Sequence, residues 1–121
     1  MDSQQPYRYS HCIYFRLSDR TPDTRRRFID LTWKLLATGH IGMLNCTIGF
    51  RDVLMQRPVN DQMFDISVDM TFDSLESYDA YRVNKHHEEW ITLAGSMSID
   101  RVVFDSYLLQ RPQAGEFSDG R

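Results

Sequence analysis

Apolar and polar residues alternate along four segments of the chain, and this period of two predicts β-strands. The clearest segment is 64–72, where large apolar residues alternate with Asp, Ser, Asp and Thr. The other three cover residues 9–17, 43–51 and 99–109. In the second strand, the predicted apolar face holds Leu44, Cys46, Ile48 and Phe50. In the last strand, one face holds Val102, Phe104 and Leu108, and the other holds Arg101, Val103, Asp105 and Tyr107.

Two segments between the strands have apolar residues three and four positions apart, which is typical of amphipathic helices. The first covers residues 22–37, with Thr21 as its N-cap and Gly39 free to take the left-handed conformation that ends a helix. The second covers residues 73–95 and is predicted to break near Asn84.

The resulting order, β-α-β-β-α-β, predicts a ferredoxin-like fold, an α+β architecture in which both helices cover one face of a four-stranded antiparallel sheet. The chain has 121 residues, which suits one domain, and we place that domain at residues 9–109. Residues 1–8 and 110–121 are predicted to be a flexible N-terminus and a polar C-terminal tail. The uncovered sheet face is semi-polar, so we expect a second copy of the chain to cover it.

Charge and composition narrow the class of partner. The net charge is −3 and the pI is near 5.7, which argues against nucleic acid or an anionic membrane. No apolar run approaches the ~20 residues that span a bilayer, and the N-terminus lacks the features of a signal peptide. The two cysteines, Cys12 and Cys46, suggest no disulfide. We therefore expect a cytoplasmic protein.

The candidate chemistry centres on one histidine. His87 shares a helix face with Trp90 and Ala94, which places it on the buried stripe of that helix. A histidine that faces a core needs a hydrogen-bond partner, and Tyr81 and His11 are the candidates. The alternative is a purely structural role, which is the more common one for a single histidine on an apolar face.

A metal site formed by His11, His86 and His87 is disfavoured. Adjacent histidines diverge on a helix, so His86 is predicted to face water, and no carboxylate lies at ligand spacing. The sequence also has no glycine-rich phosphate loop and no CxxC pair. We therefore predict neither a metal nor an organic cofactor.

Several short motifs follow one another in an order and spacing that resemble a known family. They are His11 to Leu17, Ile48-Gly49, the strand from Phe64 to Phe72 with Asp73 to Glu76 after it, Tyr81 followed six residues later by His87, and Val102 to Tyr107. Together they resemble the stress-responsive α/β-barrel (Dabb) domain family over about residues 9–109. The resemblance implies ferredoxin-like subunits that pair into a dimeric α/β barrel.

The resemblance also implies a chemistry. A plant polyketide cyclase of this family, olivetolic acid cyclase, closes a ring by aldol condensation without a metal or organic cofactor. Its catalytic histidine and tyrosine are similar in position to His87 and Tyr81. A second pocket histidine falls on His11, an aromatic residue on Phe72, and a helix tyrosine near Trp33.

From these observations we hypothesise a small-molecule site between the sheet and the second helix, lined by aromatic residues including Trp90. His87 would remove a proton alpha to a carbonyl of a small hydrophobic or aromatic ligand, Tyr81 would hydrogen-bond the developing enolate, and His11 would complete the site. The alternative is a non-catalytic dimeric binding or stress-associated protein in which His87 and Tyr81 satisfy each other. A cavity of about 300 Å³ or more beside His87 would favour the small-molecule site.

Overall fold

The computed structural model describes residues 7–36 and 40–109. The strands are β1 (Arg8–Leu17), β2 (Met43–Phe50), β3 (Ile66–Phe72) and β4 (Ser98–Leu108), and the helices are α1 (Pro22–Leu36), α2 (Leu75–Arg82) and α3 (Lys85–Met97). Arg8 belongs to β1 rather than to the N-terminal segment. Gly39 and the predicted end of α1, together with residues 1–6 and 110–121, lie outside the described residues.

The four strands form one antiparallel sheet in the order β2-β3-β1-β4. This order and the three helices confirm the predicted α+β, ferredoxin-like architecture. Both neighbours of β1 come from later in the chain, and the register sets His11 opposite Met70 on β3 and opposite Asp105 on β4. Directly paired residues point to the same side of a sheet, so these three side chains share the face that the helices cover.

The core lies between this helix-covered face and the helices. Its members alternate along β1 and β3, as the sequence predicts, and α1 and α3 complete it. The largest fully buried side chains are Trp90, Phe15, Phe28, Phe72, Ile13, Leu17, Leu36, Ile66, Met70 and Val68. Burial of one such side chain stabilises the fold by about 1.5–3 kcal/mol.

The prediction that Leu44 shares a face with Cys46 and Ile48 was wrong. A β-bulge interrupts the pairing of β2 with β3 between Met43 and Asn45, and the extra residue shifts the alternation by one position. Met43 therefore lies opposite Phe72 and packs against the core, whereas Leu44 is half exposed. Beyond the bulge Cys46 and Ile48 pack against the core, as predicted, whereas Phe50 at the end of β2 is 62% exposed.

The helix starts follow from their capping residues. Thr21 accepts a hydrogen bond from the Thr24 amide, as predicted. Ser74 caps α2, and Asn84 caps α3 by accepting from the amide of His86 at 2.8 Å. The cap at Asn84 explains why the second helical region breaks there. None of the three described helices has both the length and the apolar character needed to cross a lipid bilayer.

The turn before β2 packs closely against the start of α2. Gly42 has φ +87°, a conformation that favours glycine, and its carbonyl accepts from the Asp73 amide at 2.8 Å. A Cβ at Gly42 would lie 2.1 Å from Ser77 Oγ. Glycine at this position therefore allows the close approach that fixes α2 over the sheet.

Candidate functional site

A cavity of about 230 Å³ lies between β1 and β4 on one side and α2 and α3 on the other. Its lining residues are His11, Ile13, Tyr78, Arg82, His87, Ile91, Arg101 and Val103. Two of the residues predicted from sequence, His11 and His87, therefore share one cavity. The volume is below the 300 Å³ expected for a small-molecule site, so that expectation is not met, and the space suits only a ligand smaller than a drug.

His11 is held by a carboxylate from the neighbouring strand. Its Nδ1 lies 2.5 Å from Oδ1 of Asp105, and the hydroxyl of Tyr78 lies 3.1 Å from the same nitrogen. An ionised carboxylate only accepts hydrogen bonds, so Nδ1–H of His11 donates to Asp105. In a neutral imidazole this leaves the lone pair on Nε2, which has no hydrogen-bond partner among the described residues.

Tyr78 and Asp105 were not predicted as site residues. Burial raises the pKa of Tyr78 to about 12, with the charge of Asp105 as the next cause, so the hydroxyl keeps its proton at neutral pH. The sequence held a signal for Asp105. In a ferredoxin-like sheet β4 lies beside β1. The alternation along β4 places Asp105 on the same face as Val103.

His87 is held in the same way by a different acceptor. Its Nδ1 lies 3.1 Å from the backbone carbonyl of Arg82, and a carbonyl can only accept, so Nδ1 carries the proton. Burial lowers the pKa of His87, and the imidazole is therefore neutral at pH 7 with a lone pair on Nε2. The predicted partners, Tyr81 and His11, do not hydrogen-bond to it: the acceptor is the end of α2.

Tyr81 touches His87 through its ring. The two ring centroids are 4.5 Å apart, and Tyr81 also packs on Phe72 at 5.2 Å. The hydroxyl of Tyr81 is buried and has no partner in the described structure, and burial raises its pKa. Tyr81 lines a neighbouring cavity of about 170 Å³ with His40 and does not line the one that contains His87.

The three other aromatic residues predicted for the site lie elsewhere. Phe72 is fully buried and packs on Tyr78 and Tyr81. Trp90 is also fully buried, and its Nε1 donates to Thr32 Oγ1 at 2.9 Å. Trp33 is 42% exposed on α1. None of these three side chains lines the His11–His87 cavity.

The chemistry available in the cavity is therefore that of imidazole. Two histidines line the cavity, and the acceptor at Nδ1 of each places a proton on that nitrogen. Within residues 7–36 and 40–109 no group of three His, Cys, Asp or Glu side chains converges as metal ligands would. Proton transfer is the reaction that this arrangement can perform.

The sequence matches the family described as the stress responsive A/B barrel domain (Dabb) over residues 10–108. This match covers most of the chain and includes every residue that lines the cavity. No curated protein matches the sequence.

Solved structures share the fold. A dimeric ferredoxin-like protein from Thermobifida fusca is 25% identical, covers 86% of this chain and 93% of its own, and superposes with a TM-score of 0.69. A Dabb family protein from Mesorhizobium loti is 17% identical, with coverage of 86% and 99% and a TM-score of 0.71. The hydroxynitrile lyase from Passiflora edulis is 16% identical, with coverage of 88% and 97% and a TM-score of 0.70. These neighbours confirm the predicted ferredoxin-like fold.

Proposed function

The chain belongs to the stress-responsive A/B barrel domain (Dabb) family, and we propose that its cavity performs proton transfer on a small carbonyl compound without a cofactor. One observation carries this proposal. His11 and His87 line the same cavity, and each has its Nδ1 occupied by an acceptor within the protein while Nε2 stays free. Two histidines held in this way are suited to act as a base and an acid on one ligand.

In this mechanism His87 is the general base. Its Nε2 takes the proton alpha to the carbonyl, and the electron pair moves to the carbonyl oxygen to form an enolate. His11, whose Nδ1–H donates to Asp105, carries the second proton: its Nε2 takes a proton from water and donates it to the enolate oxygen. An acid and a base placed in this way each increase the reaction rate by about 10²–10⁴-fold.

The enolate is the step shared by aldol condensation of the polyketide-cyclase kind and by isomerisation. The neighbour named a hydroxynitrile lyase has the same fold, so the fold is compatible with lyase chemistry. We assign Tyr81 a positioning role rather than the catalytic one predicted from sequence. Its ring packs against the imidazole of His87, but its hydroxyl does not bond to that imidazole.

A dimer belongs to the same proposal. The sheet face away from the helices carries exposed or half-exposed apolar side chains, among them Tyr14, Phe64, Val102 and Phe104. On this face the buried atoms Arg16 Nε and Asp69 Oδ1 have no hydrogen-bond partner within the described chain. A second copy that covers this face would bury the aromatic residues. The dimeric protein from Thermobifida fusca supports self-association.

Proton abstraction can be tested without knowledge of the natural substrate. In D₂O, a general base that removes the alpha proton of a small ketone such as acetophenone exchanges that proton for deuterium, and proton NMR follows the loss. We expect wild-type protein to accelerate exchange above buffer, and His87→Gln and His11→Gln to remove most of the acceleration. His86→Gln is the matched control, since His86 is exposed on the same helix.

An opposite outcome would favour the alternative function. If acetophenone binds, but its exchange is no faster than in buffer and is unchanged by His87→Gln, the cavity is a binding site without acid-base chemistry. The protein would then be a dimeric binding module, the second of the two hypotheses raised by the sequence.

A further inference from the structure

Two arginines share the cavity with the histidines. Arg82 donates to Oδ1 of Asp79 at 2.9 Å, and its guanidinium lies over the ring of Tyr78, 5.5 Å from the centroid. These contacts hold Arg82 at the cavity wall. Arg101, on β4, forms no ion pair with any described residue. It is therefore an ionised lining group without a counter-charge.

The nearby carboxylates do not supply that counter-charge. Asp79 is bonded to Arg82, and Asp105 is bonded to His11. Neither carboxylate lines the cavity. Arg82 offsets the charge of Asp79, and neither Asp79 nor Asp105 forms an ion pair with Arg101.

We propose that the ligand of this cavity is a carbonyl compound that also carries a carboxylate, which Arg101 binds with Arg82 as a second donor. Guanidinium groups match carboxylate oxygens in geometry and charge. A guanidinium without an ion-pair partner among the described residues attracts an anionic group, and a volume of about 230 Å³ limits the ligand to a small keto acid. This inference rests on the proposed function, because the carboxylate would hold the carbonyl beside His11 and His87.

The test compares two probes of the same shape. Benzoate carries the carboxylate and benzamide replaces it with a neutral amide, and NMR titration gives the affinity of both. We expect wild-type protein to bind benzoate at least 5-fold more tightly than benzamide, and both probes to shift the ring protons of His87. Arg101→Gln should weaken benzoate about 5- to 10-fold and leave benzamide within 2-fold, while Arg101→Lys should keep part of the preference.

Arg57→Gln is the matched control for net charge. Arg57 is bonded to Asn60 in the β2–β3 loop and does not line the cavity, so benzoate affinity should stay within 2-fold. An equal loss in Arg57→Gln and Arg101→Gln would show a general charge effect and overturn the inference.

Other results separate this inference from the proposed function. If benzoate and benzamide shift His87 with equal affinity, the carboxylate site is refuted while the cavity remains a ligand site. If benzoate binds without a shift of His87, the anion binds elsewhere and the inference fails. If neither probe binds, but acetophenone exchange still depends on His87, the carboxylate site is refuted and the proton-transfer function stands.

Discussion

The Nδ1 of His11 lies 2.5 Å from Oδ1 of Asp105, although the two residues are 94 positions apart in the chain. The pairing of β1 with β4 brings them together, since the two residues are direct partners in the register. Asp105 thereby fixes which nitrogen of His11 carries the proton. The same relationship recurs at His87, where the carbonyl of Arg82 takes the place of the carboxylate.

Asp105→Asn tests this orientation. An amide has both a donor and an acceptor end, so it no longer imposes one tautomer on His11. We expect deuterium exchange of acetophenone to slow by about 10-fold or more. Nitrogen-15 NMR of His11 should show a mixture of tautomers. Asp100→Asn, on the opposite face of the same strand, is the control and should change neither measurement.

The pH dependence should reflect the lowered pKa of His87. Burial disfavours the imidazolium, so the folded protein protonates His87 at a lower pH than the unfolded chain, whose histidine pKa is near 6.5. Between these two values the unfolded state binds more protons, and the free energy of unfolding therefore rises with pH. The neutral state of His87 therefore contributes its full share to the stability of the fold above pH 6.5. This share is lost as the pH falls from 6.5 through the lower pKa of the folded protein.

Two measurements check the predicted direction of this pH dependence. The acid limb of the exchange rate should have its midpoint below pH 6.5, and His87→Gln should flatten the fall of stability between pH 6.5 and 5 in urea titrations. His40, whose pKa burial also lowers, titrates in the same direction, so His40→Gln removes its share of the slope. A midpoint above 6.5 would show that His87 is stabilised in its charged form and would contradict the assignment as a neutral base.

Tyr81→Phe should leave the protein at least as stable as wild type. The hydroxyl is buried without a partner, and its removal relieves a desolvation cost of about 1 kcal/mol. The exchange rate should stay within about 3-fold, because the ring that packs on His87 is kept. Tyr78→Phe should have the opposite effect on stability. It deletes the hydroxyl beside His11 and should lower the free energy of unfolding by about 1 kcal/mol. Urea unfolding measures both, and a large loss of exchange in Tyr81→Phe would restore its hydroxyl to the catalytic role predicted from sequence.

Trp90→Phe should affect stability and leave ligand affinity unchanged. The indole is fully buried, packs on Phe15 and donates to Thr32. Replacement by a smaller ring removes that bond and leaves unfilled volume, at a cost of about 1–3 kcal/mol. Trp33→Phe, at an exposed position on α1, should change stability by less than about 0.5 kcal/mol. Weaker benzamide binding in folded Trp90→Phe protein would indicate that Trp90 contacts the ligand after all.

Phe104→Glu should prevent self-association. Phe104 is 55% exposed and packs on Tyr14 in the middle of the uncovered sheet face. A carboxylate at the centre of an apolar interface would be desolvated without a partner, which opposes dimerisation. Light scattering coupled to size exclusion should report a dimer for wild type and a monomer for the variant. Ile41→Glu, at a site 94% exposed in the α1–β2 turn, should remain a dimer.

The fold could be predicted because its signals are local. The strict alternation in Ile66–Phe72 and the capping residues Thr21, Ser74 and Asn84 each act within a few positions. Leu44 shows where local signals fail. The bulge depends on how β2 pairs with β3, and no pattern within residues 43–50 specifies it.

Part of the candidate site could also be predicted from local signals. The helical spacing placed His87 correctly, but its hydrogen-bond partner is a backbone carbonyl, which has no side-chain signature in the sequence. Tyr81 and His87 are close, as predicted, but the direction of the tyrosine hydroxyl depends on packing against Phe72. The role of Asp105 could be predicted only from the register between the first and last strands, which pairs it with His11.

The position of β1 has a consequence for biosynthesis. Among the four strands of this sheet β1 leaves the ribosome first, yet both of its neighbours in the sheet are synthesised later, and β4 is the last described element. α1 and β3 are made earlier, but the edge of β1 that pairs with β4 stays without its partner strand until almost the whole domain has been translated. Nascent chains that stop before β4 should therefore be chaperone clients, and His11 should meet Asp105 only as translation of the domain is completed.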